Sequence, residues 1–465
     1  MSYADFVSMK LSSVPPTGIT GDLPPMPAGM FPHQEALTRW AIRRGRAAIF
    51  ADTGLGKSRM QLAWADAVNR CAGHDVLILA PLAVAAQTVH EGESIGVPVT
   101  LCRDGADVRP GINITNYDRL HRFDCSRFGA VVLDESSIIK HHDAKTLRLL
   151  LDAFRSTPFK LCATATPAPN DWTELGTHAE FLGICTRTEM LSEYFVHDGG
   201  DTQTWRLKGH ARNAFWRWVA SWGALVRRPS DLGFDDALYA LPPLKVHQHI
   251  TRTDDHCQQS TGMLFALEAN TLSERRTARR TSIEGRVAEC AARVNGDKQP
   301  WIVWCDLNAE GDALCEAIPD AVEIRGSDPL ELKEKRLHDF AEGRIRALVS
   351  KPSICGFGLN WQHCARMAFV GVTDSWEAYY QAVRRCWRFG QSREVHVHIF
   401  ASDLEGAVFA NLQRKERDAL AMSDALSAET CESVKSEVFG ATRLTNLYTP
   451  NRTIAVPAWL QTESA

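Results

Sequence analysis

Ala47-Ala48-Ile49-Phe50-Ala51-Asp52-Thr53-Gly54-Leu55-Gly56-Lys57-Ser58 leads from a short apolar run through a glycine turn into a helix-forming stretch at 59–68. Strand, tight loop and helix therefore follow one another without interruption. Gly54 and Gly56 let the backbone curl so that successive N–H groups, Thr53 and Leu55 included, converge on one point, and the helix that follows adds the positive end of its dipole. Such a cradle fits phosphate. Lys57 is then spaced to reach the outer phosphates and the Ser58 hydroxyl to coordinate magnesium. Ala51 stands where the general form of the loop has its first glycine. The plain alternative, a solvated glycine turn, would not need the strand and helix that flank it.

Working outward, apolar β-branched runs at 76–80, 112–115, 130–133 and 160–163 join 47–50 as buried strands separated by amphipathic segments, and a second series follows at 301–304, 321–324, 347–350, 367–370 and 395–400. Continuous rather than alternating apolar strands between helices predict parallel sheets covered on both faces. The expectation is an α/β chain with two lobes, 31–180 and 296–425, a helical insert and linker over 181–295, a proline-rich extended arm over 1–30 and a weakly patterned tail over 426–465. Residues 404–422 read as helix, and Leu241-Pro242-Pro243 marks a boundary.

Composition narrows the class. With 45% hydrophobic and 23% charged residues in 465, the chain is globular rather than disordered. A net charge of −4 excludes coating of nucleic acid by bulk charge and leaves room for a local basic track. The 13 cysteines include no C-x-x-C pair, against both a disulfide framework and a zinc ribbon. No apolar run is long enough for a membrane span and no secretory leader is evident, so a cytoplasmic protein without membrane contact is expected.

The run 130–133 delivers Asp134-Glu135-Ser136-Ser137 to the carboxyl end of a strand, where ligands of open α/β sheets bind. Asp134 can hold magnesium through water and Glu135 can polarise an attacking water. In isolation the pair could equally cap a helix.

These two motifs, with those that follow, resemble the superfamily 2 helicases and translocases, and within them the Snf-type double-stranded-DNA translocases and their phage or prophage-borne relatives, over roughly 31–400. Such proteins close ATP between two RecA-like lobes. Phe31-Pro32-His33-Gln34 is similar to the family's upstream glutamine motif, which implies that Gln34 reads the adenine edge. Ala80-Pro81-Leu82 with Gln87, and Ile114-Thr115-Asn116-Tyr117, are similar to segments that grip the DNA backbone; this implies nucleic-acid contacts by Pro81, Gln87, Thr115 and Asn116. Ala163-Thr164-Ala165-Thr166-Pro167 resembles the element coupling hydrolysis to lobe movement through Thr164 and Thr166. Gly356-Phe357-Gly358-Leu359-Asn360 is similar to the glycine-rich motif of the second lobe, and Asp374-Ser375-Trp376 to an Asp-x-x-Trp element shortened by one residue. These place Gly356, Gly358 and Trp376 on nucleic acid.

The most discriminating likeness is Gln381-Ala382-Val383-Arg384-Arg385-Cys386-Trp387-Arg388-Phe389-Gly390-Gln391, which matches Gln-Ala-x-x-Arg-x-x-Arg-Ile-Gly-Gln and implies that Arg385 and Arg388 are arginine fingers. A guanidinium arriving from the second lobe stabilises charge on the transferring phosphoryl group, so ATP completes its site only when the lobes close. A solvated basic helix face is the structural alternative. The second motif departs from its relatives in ending Ser136-Ser137, where many carry Ala-His or Gly-His, so Ser137 is left to reach the coupling element with a shorter side chain.

Elsewhere the signals divide. Residues 205–228 hold Trp205, Trp216, Trp218 and Trp222 with Arg206, Lys208, Arg212, Arg217, Arg227 and Arg228 and no acid. They read either as a phosphate- and base-contacting segment or as a helix whose tryptophans enter the core. His247, His249, His256 and Cys257 fall close together, yet the first two alternate on what reads as a strand and the group reads as ordinary surface residues; His396 and His398 likewise alternate, with no carboxylate or cysteine spaced to join them, so no structural metal is assigned. The expected activity is an ATP- and magnesium-dependent motor on DNA, duplex favoured. The alternatives are a strand-separating helicase on DNA or RNA, and an ATP-gated DNA clamp that recruits a nuclease or methyltransferase.

Overall fold

Two fully parallel sheets set the architecture of the computed structural model, which describes residues 14–81, 84–140, 144–168, 171–198, 201–251, 282–355, 360–371, 375–402, 414, 417 and 430–439. The first sheet has seven strands in the order β3-β4-β2-β5-β6-β1-β9. They are β1 (Arg46–Ala51), β2 (Val76–Ala80), β3 (Val99–Leu101), β4 (Ile112–Asn116), β5 (Ala130–Asp134), β6 (Phe159–Ala163) and β9 (Gly223–Val226). Helices cover both faces, which is why every residue of β2, β4, β5 and β6 is buried. On one face, Leu37, Trp40 and Ile42 of α1 (Pro32–Arg44) and Met60, Trp64 and Val68 of α2 (Lys57–Ala72) meet Ile49, Ile78 and Val132. On the other, Phe50, Leu79 and Leu133 pack with Leu150, Phe181, Phe215 and Trp222.

The second sheet has six strands, β10-β15-β14-β11-β13-β12. These are β10 (Leu244–Thr251), β11 (Trp301–Trp304), β12 (Ala321–Ile324), β13 (Ala347–Ser350), β14 (Arg366–Phe369) and β15 (Val395–Ser402). Trp304, Trp361, Phe340 and Phe369 fill one side, and α3 (Ile283–Asn295) covers the other through Val287, Cys290 and Val294. Both predicted series of strands are therefore present as two parallel-sheet α/β lobes. Among the described residues no helix is long and apolar enough to cross a membrane.

The stretch between the lobes differs from expectation. The helical insert and linker expected over 181–295 carries four strands beside its helices: β7 (Phe195–Asp198) and β8 (Asp201–Leu207) form an antiparallel hairpin, β9 joins the first sheet beside β1, and β10 joins the second beside β15. Gly223-Ala224-Leu225-Val226 is too short and small-sided to announce a strand, and its partner β1 lies far upstream. The Pro-Pro boundary is tied down as well, since Pro243 O accepts from Val395 N and Pro242 O from Trp387 Nε1. Part of the insert, 252–281 with His256 and Cys257, lies outside the described residues, as does nearly all of the helix expected over 404–422. The described part of the arm, 14–30, contains no helix or strand and runs along the end of α1, where Thr17 N and Gly18 N donate to Arg44 O and Arg43 O. From the tail, residues 430–439 are helical; Val434 enters the first lobe's core and Glu437 pairs with Arg44.

Candidate functional site

The carboxyl end of β1 opens into the glycine loop, whose shape depends on Gly54 (φ 94°) and Gly56 (φ 82°). A Cβ on Gly56 would lie 2.1 Å from Gln34 Nε2, so both the left-handed backbone and the close approach demand glycine. Gln34 braces this loop: Nε2 donates to Leu55 O at 3.0 Å, while Oε1 accepts from Phe31 N at 3.0 Å. The Leu55 side chain turns into the core, so only its backbone serves the loop. Lys57 Nζ donates to Ala51 O at 2.9 Å. Burial lowers its pKa, against the opposing pull of Glu135, Asp52 and Asp134.

β5 ends at Asp134, whose Oδ1 accepts from Gln61 Nε2 at 2.6 Å and whose carbonyl accepts from the Tyr117 hydroxyl at 2.6 Å. Burial, reinforced by the neighbouring Glu135 carboxylate, pushes the Asp134 pKa up to about 6. A buried carboxylate in that state is favourably neutralised by a cation, so the donor set suits magnesium. Glu135 is the one non-glycine residue with positive φ among those described, at 48°. This sparsely populated conformation turns its side chain out of the strand alternation and into the space between the lobes.

Across that space lies α4 (Trp376–Val383) and the turn after it. Arg385 is 1% exposed and is held by Gln381, Nε donating to the main-chain O and Nη2 to Oε1, both at 2.9 Å. Burial, together with the adjacent Arg385, pulls the Arg388 pKa down to about 9. A cavity of about 420 Å³ is lined by Gln34, Thr53, Gly54, Gly56, Lys57, Ser58, Asp134 and Glu135 from the first lobe, and by Asn360, Gln362, Arg385, Arg388 and Phe389 from the second. The glycine loop, the acidic strand end and both arginines thus face one volume. Gln87 also lines it, on the loop's side rather than toward any second groove.

Thr164 and Thr166 connect the acidic strand end to the arginine turn. Thr164 Oγ1 donates to Glu135 Oε2 at 3.4 Å and accepts from Thr166 N at 3.2 Å, and Gln381 Nε2 reaches Thr166 Oγ1 at 3.5 Å. The run Glu135–Thr164–Thr166–Gln381–Arg385 therefore crosses from one lobe to the other. Ser137 has no bond to this run; its neighbour Ser136 instead meets His178 Nε2 at 3.1 Å, and burial pulls the His178 pKa down to about 4.

A second cavity, of about 560 Å³, also lies between the lobes and is lined by Pro81, Asn116, Tyr117, Glu135, Ser137 and Lys140 on one side and Lys333, Ser353 and Ile354 on the other. Glu135 borders both cavities. Of the residues expected on nucleic acid, Pro81 and Asn116 are here. Thr115 is not: it lines neither cavity and is 1% exposed in a strand covered on both faces, which corrects its assignment as a contact. Trp376 stacks on Tyr380 at 4.8 Å. Gly356 and Gly358, with Leu82 and Asp374, lie outside the described residues. In 205–228 the aromatic residues go to the core: Trp216 and Trp222 are buried, with Trp205 and Trp218 packed against the same cluster.

The sequence reading missed an inter-lobe contact. Asp52 accepts from Tyr380 OH at 2.7 Å through Oδ1 and from Arg384 Nη2 at 3.1 Å through Oδ2. Burial alone would raise the Asp52 pKa, but the Arg384 charge and the tyrosine hydroxyl bring it below the usual value. Arg384 is itself sandwiched against the rings of Tyr380 and Trp387, at 5.1 and 4.7 Å. Its side chain is 10% exposed and that of Asp52 17%, so Asp52→Asn strands a buried cation, a change that costs about 3 kcal/mol, or roughly 100-fold in the closed-to-open ratio of the lobes. Small-angle scattering of the nucleotide-free variant is expected to give a larger radius of gyration than the parent. Superimposable profiles would show that this contact does not hold the lobes.

Residues 295–390 match the family described as helicase conserved C-terminal domain. The match runs from β11 through α4 and the arginine turn, so the second lobe is helicase-like, as in the superfamily 2 motors that hydrolyse ATP on nucleic acid. No curated protein matches the chain.

Proposed function

We propose that the chain is a double-stranded-DNA translocase in which Lys57, Ser58, Asp134 and Glu135 work on one side of the inter-lobe cavity and Arg385 and Arg388 on the other. One observation carries the reading: groups from two lobes, Lys57 and Arg385 among them at 328 residues apart in sequence, line a single volume. ATP with magnesium, bound there, would supply the phosphoryl group whose transfer drives movement. The residues fit that ligand. Lys57 and the start of the helix after Gly56 offer an anion cradle, whereas Thr53 N and Leu55 N donate to Asp52 within the loop; Ser58 and Asp134 offer hard oxygens to the metal, and Gln34 keeps spare amide valence toward an adenine edge. Glu135 is the base that orients water. Its bond to Thr164 links that water to the second lobe.

The second cavity, with Pro81, Asn116 and Lys333, supports a nucleic-acid track on the far side of Glu135. The preference for duplex rests on the likeness of 381–391 to the Snf-type motif. The test is ATPase rate across duplex DNA, single-stranded DNA and RNA at two salt concentrations, with triplex displacement along a duplex. Duplex stimulation with displacement is the expected result. Stimulation by single strands with release of an annealed oligonucleotide would replace the proposal by a helicase, and weak hydrolysis with no displacement by an ATP-gated clamp.

A further inference from the structure

Four histidines that the sequence presents as two separate alternating pairs come together on one face of the second sheet. β10 and β15 pair in parallel with His247 opposite His398 and His249 opposite Phe400. His247 Nε2 is 3.0 Å from His396 Nδ1, and His249 Nε2 is 3.0 Å from His398 Nδ1. The absence of a joining carboxylate, expected for His396 and His398, is corrected by Glu394, whose Oε1 is 3.0 Å from His396 Nε2; Glu289 Oε1 of α3 is likewise 3.3 Å from His249 Nδ1.

We propose that His247, His396 and His398 form a binding site for a divalent ion of zinc type, which fastens the first strand of the second lobe to its last. One ring nitrogen from each lies within 4.8 Å of the other two. Tetrahedral zinc with nitrogen ligands at about 2.0–2.1 Å needs those atoms roughly 3.4 Å apart, so binding requires the rings, which lie nearly parallel at 7° and 13°, to rotate about their side-chain torsions as they draw together. Imidazole nitrogen suits zinc, nickel and copper, and the fourth position is left to water.

The carboxylates orient the rings. Glu394 can only accept, so His396 keeps its proton on Nε2 and turns the Nδ1 lone pair inward, the arrangement in which an outer carboxylate raises the basicity of a ligating histidine. Glu289 likewise holds the His249 proton on Nδ1, so His249 Nε2 accepts from His398 Nδ1–H and leaves His398 Nε2 with a lone pair. His247 donates from Nε2 to His396 in the metal-free state. Moving that proton to its own Nδ1 frees the third lone pair. Three nitrogen–metal bonds then replace one N–H···N bond, with no net loss of protons and no electron transfer. Burial lowers the pKa of His396, His398 and His249. Of the surrounding charges, Glu394 and Glu289 favour a cation, while Lys245, Arg293 and Arg366 oppose it.

The test uses the full chain, stripped with a chelator and dialysed. Zinc affinity is read by competition with a chromophoric chelator, cobalt is read by its visible absorption, and melting is followed with and without zinc. The expected result is one equivalent bound per chain and a higher melting temperature, with at least 100-fold weaker binding in His247→Asn/His396→Asn. Both of those rings are partly exposed. Should that variant fold poorly, Glu394→Gln, at a solvent-facing ion pair, is expected to weaken zinc 10- to 100-fold. Binding to the cysteines alone would leave affinity unchanged in both variants, and that result, or no binding by the parent, overturns the site and leaves a hydrogen-bonded imidazole stack. These readouts are independent of ATP turnover, so they stand or fall apart from the motor proposal.

Discussion

Arg385→Ala is expected to lower nucleic-acid-stimulated ATP turnover by about 10³-fold or more, the loss associated with arginine fingers in other NTPases. Arg385 is the better test of the two arginines because its position is fixed at both ends of the guanidinium by Gln381. Gln381 in turn touches Thr166, so the arginine and Glu135 are set by the same run of hydrogen bonds. Arg385→Lys keeps a charge but loses the planar fork, and is expected to recover little of the rate. The measurement is steady-state turnover alongside binding of a fluorescent nucleotide. Retained binding with lost turnover identifies a group acting on the transferring phosphoryl, whereas turnover within a few-fold of the parent removes Arg385 from the chemistry.

Lys57→Ala should reduce the same turnover by about 10²- to 10³-fold, the scale of removing one preorganised charge from a buried site. Lys57 donates to Ala51 O in the structure, a backbone contact whose loss is small, so the variant is expected to melt close to the parent. It removes a positive charge from a site that also holds Asp52, Asp134 and Glu135. Nucleotide affinity should fall together with turnover, in contrast to Arg385→Ala. Unchanged turnover in a folded Lys57→Ala protein would eliminate the glycine loop as the phosphate site.

Much of this was legible in the chain. Buried parallel strands such as Val76–Ala80 and Trp301–Trp304 are apolar on both faces and read directly, and the glycine loop, Asp134-Glu135 and 381–391 are contiguous motifs. What escaped depends on partners distant in sequence. Asp52 looks like a spacer in its loop until Arg384, 332 residues on, closes against it. Gln61 is one polar residue on an amphipathic helix until Asp134 arrives 73 residues later. The burial of Thr115 follows from β4 being covered on both faces, but the motif likeness pointed the other way. The histidines alternate within each strand, as ordinary strand residues do, and only the pairing of β10 with β15 brings them together.

Residues 380, 381 and 384 occupy adjoining turns around α4, and from that one patch they grasp two separate loops of the first lobe, Asp52 on one side and Thr166 on the other. A body pinned at two points can swing about the line joining them but cannot spin freely on its own axis. While both pins hold, the relative motion of the lobes is thereby reduced toward a single rotation.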